Sequence, residues 1–589
     1  MTDSGPINKN LLCYGDNLTF LEDRSLLPDA CVDLIYLDPP FNSQQDYNVL
    51  FKETSGTPAA AQIKAFEDTW RWDMAANEAL ARLHQDEQVP APLVELMKTF
   101  MNFLKPSPMM AYLVQMAVRL VHMHRVLKPT GSLYLHCDPT ASHYLKLVLD
   151  AIFGAENFRN EIIWKRTSGH SDARRYGSVH DVIHFYVKNG NAVWNKPYQP
   201  YDPAYVEQYY RYRDPDGRMW MSDNLSAAGL SGGGYEYEWK GIKRIWRCPQ
   251  ERMAALDSQG KVFYTKNGIP RLKRYLDEAK GLPAQDVWGD LEALRSWHKE
   301  KLGYPTQKPI ELLLRIVAAS SNPGDVILDP FCGCGTTIDA VETLNREDPA
   351  AAPRTWIGID ITHLSINLIK HRLTRFVPLP DYQVIGEPAS VSGAEALAQQ
   401  DPYQFQFWAL GLVGARPRGG AKKKGADQGI DGVRYFQDEL KAGAMVTKTM
   451  LVQVKSGKVG AKDIRDFVGT LAREQAELGV FLTLQDSTAP MRTEAAAAGM
   501  YASPWNNENY PRVQILTIEE LMKDPHLPNP AILQVPGGAA AQHTLQQPQQ
   551  HKGRGAKQGG LFGGEAERGT REDISSLISD ERTGHGSAG

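Results

Sequence analysis

Short runs of consecutive apolar residues recur along the chain, and each stops at a turn or an acid. Leu11-Leu12-Cys13-Tyr14 is broken by Gly15-Asp16, Val32 to Leu37 ends at Asp38, and Val326-Ile327-Leu328 leads into Asp329. Trp356-Ile357-Gly358-Ile359 ends at Asp360. Runs of this length predict strands buried on both faces. Between them, 60–127 is mostly helical in its spacing and closes at the stop signal Lys128-Pro129-Thr130-Gly131, after which Ser132 to His136 is another buried strand. Asn160 to Val187 predicts two strands around a polar loop, 167–179, and helices are expected over 310–319 and 336–344. Strands alternating with helices imply an α/β fold built on a parallel sheet.

The periodicity fades after Asn189, where Tyr, Trp, Arg and Lys interleave as far as Trp288, and an inserted domain is expected there. It dissolves again around 378–391. A second α/β unit follows, and the Gly-, Ala-, Gln- and Ser-rich end predicts a disordered tail. The expected domains are therefore 1–189, an insert at 190–289, a return to the first sheet at 290–380, a linker at 381–400, a second α/β domain at 401–525 and a tail at 526–589.

Composition narrows the function classes. At 589 residues the chain exceeds a single core. No run approaches the ~20 apolar residues of a membrane span, and 1–10 lacks an apolar signal core, so residence in the cytoplasm is expected. Six cysteines are too few for a disulfide framework, and Cys332-x-Cys334 lacks the spacing of a zinc half-site. A net charge of -4 neither announces nor excludes a nucleic-acid binder, because phosphate contact depends on local patches.

Two phrases carry candidate chemistry. In Asp38-Pro39-Pro40-Phe41, the Asp38 carboxylate and the Pro39 carbonyl can each accept a hydrogen from an exocyclic amino group. The prolines stiffen the turn, and Phe41 offers a face on which a flipped base can stack. In Asp329-Pro330-Phe331-Cys332-Gly333-Cys334-Gly335, glycines between a strand and a helix allow close backbone approach to a ligand, and Asp360 at the end of the next strand can bind ribose hydroxyls. The spacing is not that of a phosphate-binding fingerprint, so the phrase suits an adenosyl sulfonium better than a dinucleotide.

Gly15-Asp16, Asp38 to Phe41, Lys128-Pro129-x-Gly131-Ser132, Thr306-Gln307-Lys308-Pro309, Asp329 to Gly335 and Asp360, in this order, resemble the beta class of DNA amino methyltransferases over roughly 10–190 and 290–375. The resemblance implies a seven-stranded Rossmann-like sheet with a target-recognition insert, and S-adenosylmethionine as methyl donor. It implies a cofactor site of Asp16, Lys308, Pro309, Asp329, Pro330, Phe331, Gly333, Gly335, Thr336 and Asp360, with Asp16 near the adenine. Asp rather than Ser before Pro-Pro favours N6 of adenine over N4 of cytosine. The insert, where Tyr205, Tyr209, Tyr210, Trp220, Tyr235 and Trp246 lie among Arg211, Arg213, Arg218, Lys240, Arg244 and Arg274, is where this family reads double-stranded DNA. His170, Arg174, Arg175 and His180 mark a loop that can close over the base, although His180 reads more simply as a structural histidine.

A second site is expected near the C-terminus. Asp431 within Gln428-Gly429-Ile430-Asp431-Gly432, together with Gln453 and Lys455 on one face of a strand, can gather a divalent cation, a water and a cation for phosphodiester cleavage. With 463–469 and 479–483, these residues resemble the Mrr-like branch of restriction endonucleases, which implies Mg2+ at Asp431 and Gln453. Gln453 stands where an acid is usual, and Gln406 sits where the preceding helix often carries one. The expectation is thus an N6-adenine methyltransferase fused to a Mg2+-dependent endonuclease acting on double-stranded DNA, away from membranes and compatible with a homodimer. The alternative is an N4-cytosine enzyme whose C-terminal domain binds DNA without cutting.

Overall fold

The computed structural model describes residues 7–40, 72–167, 169, 176–227, 234–295, 298, 300–302, 304, 306–418, 430–441, 444–522 and 533–536. Phe41, His170, Arg174, Arg175, Gln428 and Gly429 lie outside these residues.

Among the described residues, nine strands form one sheet. They are β1 (Asn10–Tyr14), β2 (Val32–Leu37), β3 (Leu127–Cys137), β4 (Phe158–Lys165), β5 (His180–Val187), β6 (Val287–Trp288), β7 (Val326–Asp329), β8 (Thr355–Asp360) and β9 (Tyr382–Ile385). Their order is β6-β4-β5-β3-β2-β7-β8-β1-β9, with β5 antiparallel to both neighbours and the other pairs parallel. The seven strands implied by the resemblance gain two short ones at the edges, β6 and β9. The apolar runs are buried because alternate residues serve opposite faces. Leu11, Cys13, Ile35 and Leu37 enter a core with the Ala91–Leu104, Pro108–Val126 and Pro139–Phe153 helices. Leu12, Leu34 and Tyr36 enter a second core with the Ile310–Ser320, Thr336–Glu347 and His363–Leu373 helices. Burial of each large apolar side chain contributes about 1.5–3 kcal/mol.

The insert leaves the first sheet after β5 and returns at β6, which is hydrogen-bonded to β4. It has its own small core of Leu225, Trp246, Cys248, Met253 and Val262 beneath short antiparallel strands.

The second domain has a five-stranded sheet in sequential order: β10 (Arg416–Pro417), β11 (Gly432–Lys441), β12 (Ala444–Lys455), β13 (Leu478–Thr483) and β14 (Val513–Thr517). The hairpin β11/β12 is antiparallel, with a bulge between Gln437 and Glu439, whereas β12, β13 and β14 run parallel.

Two boundary expectations are corrected. The stretch 381–400 is not a featureless linker. Tyr382 to Ile385 extend the first sheet beside β1, with Tyr382 and Val384 against one core and Ile385 against the other. Val391–Gln400 is a helix capped by the Ser390 hydroxyl, and its Ala394 and Ala398 enter the core of the second domain. A four-residue strand and an alanine-faced helix carry too little apolar periodicity to stand out beside proline, glycine and serine. Within the expected tail, Leu533 and Val535 are buried against the second core, and Gln534 exchanges two hydrogen bonds with Gln514, at 2.6 and 2.9 Å. The rest of 526–589 lies outside the described residues.

The domains meet along two helices. The backbone N–H of His363 donates to Gln404 Oε1 (3.0 Å), and Asn367 Nδ2 donates to the Phe407 carbonyl (2.7 Å). Gly411 makes this approach possible, since a Cβ there would come within 2.1 Å of Asn367 Oδ1.

Candidate active site

The parallel strands β1, β2, β7 and β8 point their carboxyl ends to one edge of the sheet, where ligands of open α/β sheets bind. A cavity of ≈ 300 Å³ opens there. Its wall includes Asp16, Asp38, Pro39, Pro40, Lys308, Asp329, Pro330, Phe331, Gly333, Thr336 and Asp360, so the two phrases, far apart in sequence, face one space.

Asp38 follows β2. Lys308 Nζ donates to its Oδ2, and its Oδ1 is buried without a hydrogen-bond partner among the described residues. An unpartnered buried carboxylate oxygen costs free energy until a donor arrives, which suits a site awaiting an N–H. Lys308 lies in the loop before the Ile310–Ser320 helix, and Gln307 braces that loop by accepting from Leu302 N and donating to the Glu300 carbonyl, both at 2.7 Å.

Asp360 closes β8. Its carboxylate accepts from Thr362 N and Oγ1, each at 2.9 Å, and from Gly333 N at 3.0 Å, tying it to the glycine-bearing turn. Burial outweighs these bonds and pushes the carboxyl up to about 6. Asp329 is 3 % exposed and accepts from Phe331 N and Thr337 Oγ1. Burial, added to by the nearby Asp38 and Asp360, raises it to about 7. Asp16 caps the Asn17–Glu22 helix through Leu18 N and receives Arg119 Nη2 at 2.8 Å. Arg119 also donates to Asn17, which donates to the Pro330 carbonyl (2.7 Å), so this wall is one hydrogen-bonded unit.

Two expected cofactor residues do not line the cavity. Pro309 is buried at the start of the Ile310–Ser320 helix. Gly335 adopts φ +76 before the Thr336–Glu347 helix, and a Cβ there would come within 2.6 Å of Ile369 Cγ1. The absent side chain lets the turn pack against Ile369 of the His363–Leu373 helix. Gly333, at φ +51, faces the Tyr304 ring and does line the cavity. Tyr304, at the head of the phrase that leads to Lys308, lines it too, as do Tyr36, Asn17, Arg119 and Ile361, which no sequence pattern marks because only the fold brings them there; Tyr36, two residues before Asp38, carried the nearest signal.

Half of the basic residues expected to contact DNA are engaged within the insert. Arg218 pairs with Asp277 and Glu278, Lys240 with Asp257, and Arg274 with Asp223. Tyr210, Trp220 and Trp246 are buried, whereas Tyr209 and Tyr235 are exposed. Arg211, Arg213 and Arg244 form no ion pair among the described residues, and Arg211 lies over the Tyr212 ring (5.4 Å).

In the second domain, Asp431 Oδ2 accepts from Val454 N at 2.7 Å, which sets Asp431 beside the stretch holding Gln453 and Lys455. Gln453 is buried. No group of three or more His, Cys, Asp or Glu positioned to hold a metal occurs among the described residues. Among them, too, no helix is long and apolar enough to cross a membrane.

A family model described as DNA methylase matches residues 32–371, and one described as restriction endonuclease matches 397–521. The chain is 33% identical over 281 residues to the type II methyltransferase M.EcaI of Enterobacter cloacae, covering 46% of this chain and 60% of that protein. It is 29% identical over 366 residues to the Mod subunit of the type III restriction-modification enzyme StyLTI of Salmonella typhimurium, covering 59% of this chain and 52% of that one. It therefore spans less than two thirds of either relative. The solved structure of a DNA modification methylase from Thermus thermophilus, complexed with S-adenosyl-L-methionine, aligns with 64% of this chain and 99% of its own at 15% identity. Its TM-score of 0.30 is too low to bear on the argument. The first of the two family models spans more than half of the 589 residues, and the protein therefore belongs to the DNA methylase family.

Proposed function

We propose that the protein methylates the exocyclic amino group of a base flipped out of duplex DNA, N6 of adenine, with S-adenosylmethionine as donor. The observation that carries this reading is the shared cavity, in which Asp38 with its unpartnered Oδ1 and Asp360 with its ring of donors line the same space. An amino nitrogen attached to an aromatic ring is a weak nucleophile because its lone pair is delocalised. Asp38 Oδ1 accepts one amino hydrogen and the Pro39 carbonyl the other, and Lys308 holds the Asp38 carboxylate in place. Fixing the nitrogen in line lowers the barrier by several kcal/mol, roughly 7–11 in the best cases.

The residues present fit the donor. Asp360 offers carboxylate oxygens to ribose hydroxyls, Asp16 offers polar contact at the end of the neighbouring strand, and Phe331 and Ile361 give the cavity apolar surface. S-adenosylmethionine supplies a methyl group on a sulfonium, activated for displacement. The whole set Asp16, Lys308, Asp329, Pro330, Phe331, Gly333, Thr336 and Asp360 is assigned to its binding.

The second domain is read as a DNA endonuclease, with Asp431 and Gln453 holding Mg2+ and Lys455 near the attacked phosphate. The match of 397–521 to a restriction endonuclease family model supports it.

Duplex DNA incubated with the protein and methyl-labelled donor, then digested to nucleosides and resolved by mass spectrometry, tests the reading. N6-methyladenine is expected. N4-methylcytosine would sink the adenine assignment, and absence of any methylated base would sink the whole proposal.

A further inference from the structure

Beneath Asp38 runs a buried polar chain that the two phrases do not explain. Tyr36 and Asp38 are two residues apart in extended backbone and both line the cavity, yet Tyr36 is only 2 % exposed. Its hydroxyl is 2.9 Å from His136 Nδ1. His136 has no exposed surface, and its Nε2 is 3.3 Å from Asp181 Oδ2. Asp181 Oδ1 is in turn 3.1 Å from Arg166 Nε, whose side chain reaches solvent. The chain thus crosses from β2 through β3 to β5 and leaves by the end of β4.

Apolar side chains would fill this interior at lower cost, since each buried polar group must recover its lost hydration. Packing alone therefore gives no reason for Tyr, His and Asp here. Burial raises the Asp181 carboxyl, but the His136 hydrogen bond and the Lys308 and Arg166 cations outweigh it and hold the group below its usual range, so it is ionised at neutral pH. An ionised Asp181 accepts from Nε2–H of His136. That fixes the tautomer, leaving Nδ1 as the acceptor for the Tyr36 O–H. With its proton given to His136, the Tyr36 oxygen keeps its lone pairs as an acceptor.

We infer that Tyr36 takes the proton released from the amino group during methyl transfer, and that His136 and Asp181 are positioning residues that make it able to do so. This inference rests on the amino methyl transfer proposed above. The amino lone pair forms the new N–C bond as the S–C bond breaks, its electron pair going to sulfur. The nitrogen then carries a positive charge and must lose a proton. Asp38 Oδ1 and the Pro39 carbonyl orient the two amino hydrogens, but the Asp38 carboxylate is already paired with Lys308 through Oδ2, and a peptide carbonyl cannot keep a proton. As the fourth bond makes the nitrogen tetrahedral, one hydrogen leaves its first acceptor, and the Tyr36 oxygen takes that proton as its own passes to His136 Nδ1. The products are a neutral methylamino group, a neutral phenol and an imidazolium facing the Asp181 carboxylate. Once the base has left, the imidazolium returns its proton by the same path, through Tyr36, to water.

The test compares single-turnover methyl transfer in wild type, Tyr36→Phe, His136→Gln and the double variant. Cofactor affinity and flipping of a 2-aminopurine target are measured alongside. Tyr36→Phe removes one oxygen and is expected to slow transfer at least tenfold, with binding and flipping unchanged. The double variant should be no slower than the slower single one, because the residues act as a unit. Transfer by Tyr36→Phe within twofold of wild type would overturn the inference. So would losses that track cofactor affinity, or losses that multiply in the double variant, both of which mark a merely structural role. If His136→Gln does not fold, Tyr36→Phe alone decides. A wild-type protein that transfers no methyl group overturns the parent reading, and this inference with it. An active wild type with an unimpaired Tyr36→Phe overturns the inference alone.

Discussion

Lys308 and Asp38 stand 270 residues apart in the chain, and the Lys308 ammonium donates to the Asp38 carboxylate within the cavity. The pair joins the half that holds the amino-accepting turn to the half that carries the glycine-bearing turn. Their side chains are only 12% and 15% exposed, so neither charge is well served by water.

Replacing Lys308 by Met should leave Asp38 buried and unpaired. The expected loss is about 3 kcal/mol of folding stability, together with methyl transfer, because breaking one side of a buried pair costs more than the pair itself contributes. Urea unfolding measures it. Adding Asp38→Asn to Lys308→Met should recover part of the stability and none of the activity. An unchanged unfolding midpoint in Lys308→Met would show that the pair does not bridge the halves.

Asp360 and Asp329 imply a pH response of definite sign. Burial raises the folded-state carboxyls to about 6 and about 7. The folded state therefore holds protons that the unfolded chain, titrating near ~4, has lost. Stability from these groups is full below about pH 4 and is lost as pH rises through about 6 to 7, by roughly 3 kcal/mol for Asp360 and roughly 4 kcal/mol for Asp329. A ligand whose hydroxyls donate to ionised Asp360 should instead bind more tightly as pH rises through about 6. Calorimetric titration with S-adenosylmethionine from pH 5 to 8 tests this. Affinity independent of pH, or unaffected by Asp360→Asn, would remove Asp360 from the ligand's contacts.

Gly335→Ala should destabilise by about 2–4 kcal/mol, combining ~1–2 for a left-handed backbone with the expense of overpacking against Ile369. Thermal melting reads the loss. Ile369→Ala in the same chain should return the packing share only. A Gly335→Ala protein that melts normally but binds the donor poorly would restore the ligand-approach role that the geometry assigns to Gly333 alone.

In the second domain, Lys455→Ala should abolish magnesium-dependent nicking of plasmid DNA while methylation proceeds. Gln453→Glu adds a carboxylate beside Asp431 and should lower the magnesium concentration for half-maximal nicking, since affinity for hard cations follows ligand charge. Nicking that survives Lys455→Ala, or a Gln453→Glu variant that needs more magnesium, would refute the assigned roles.

The apolar runs at 11–14, 32–37, 326–328 and 356–359 were legible as buried strands because burial on both faces is written locally, in consecutive side chains. The acids that end them were legible for the same reason, since a parallel sheet brings its strand ends to one edge whatever the loops do. Weak periodicity hid β9 and the 391–400 helix, which exist because neighbours already in place offer them an edge and a core. Only the tertiary structure decided which charges meet: Lys308 with Asp38, Arg119 with Asp16, and Arg218, Lys240 and Arg274 of the insert with acids of the insert itself. It also decided that Gly335 lies against Ile369 and that Tyr36 reaches His136 across the sheet. These pairings join residues far apart in the chain. Their free energies depend on distance and burial, and neither is set until the chain has folded.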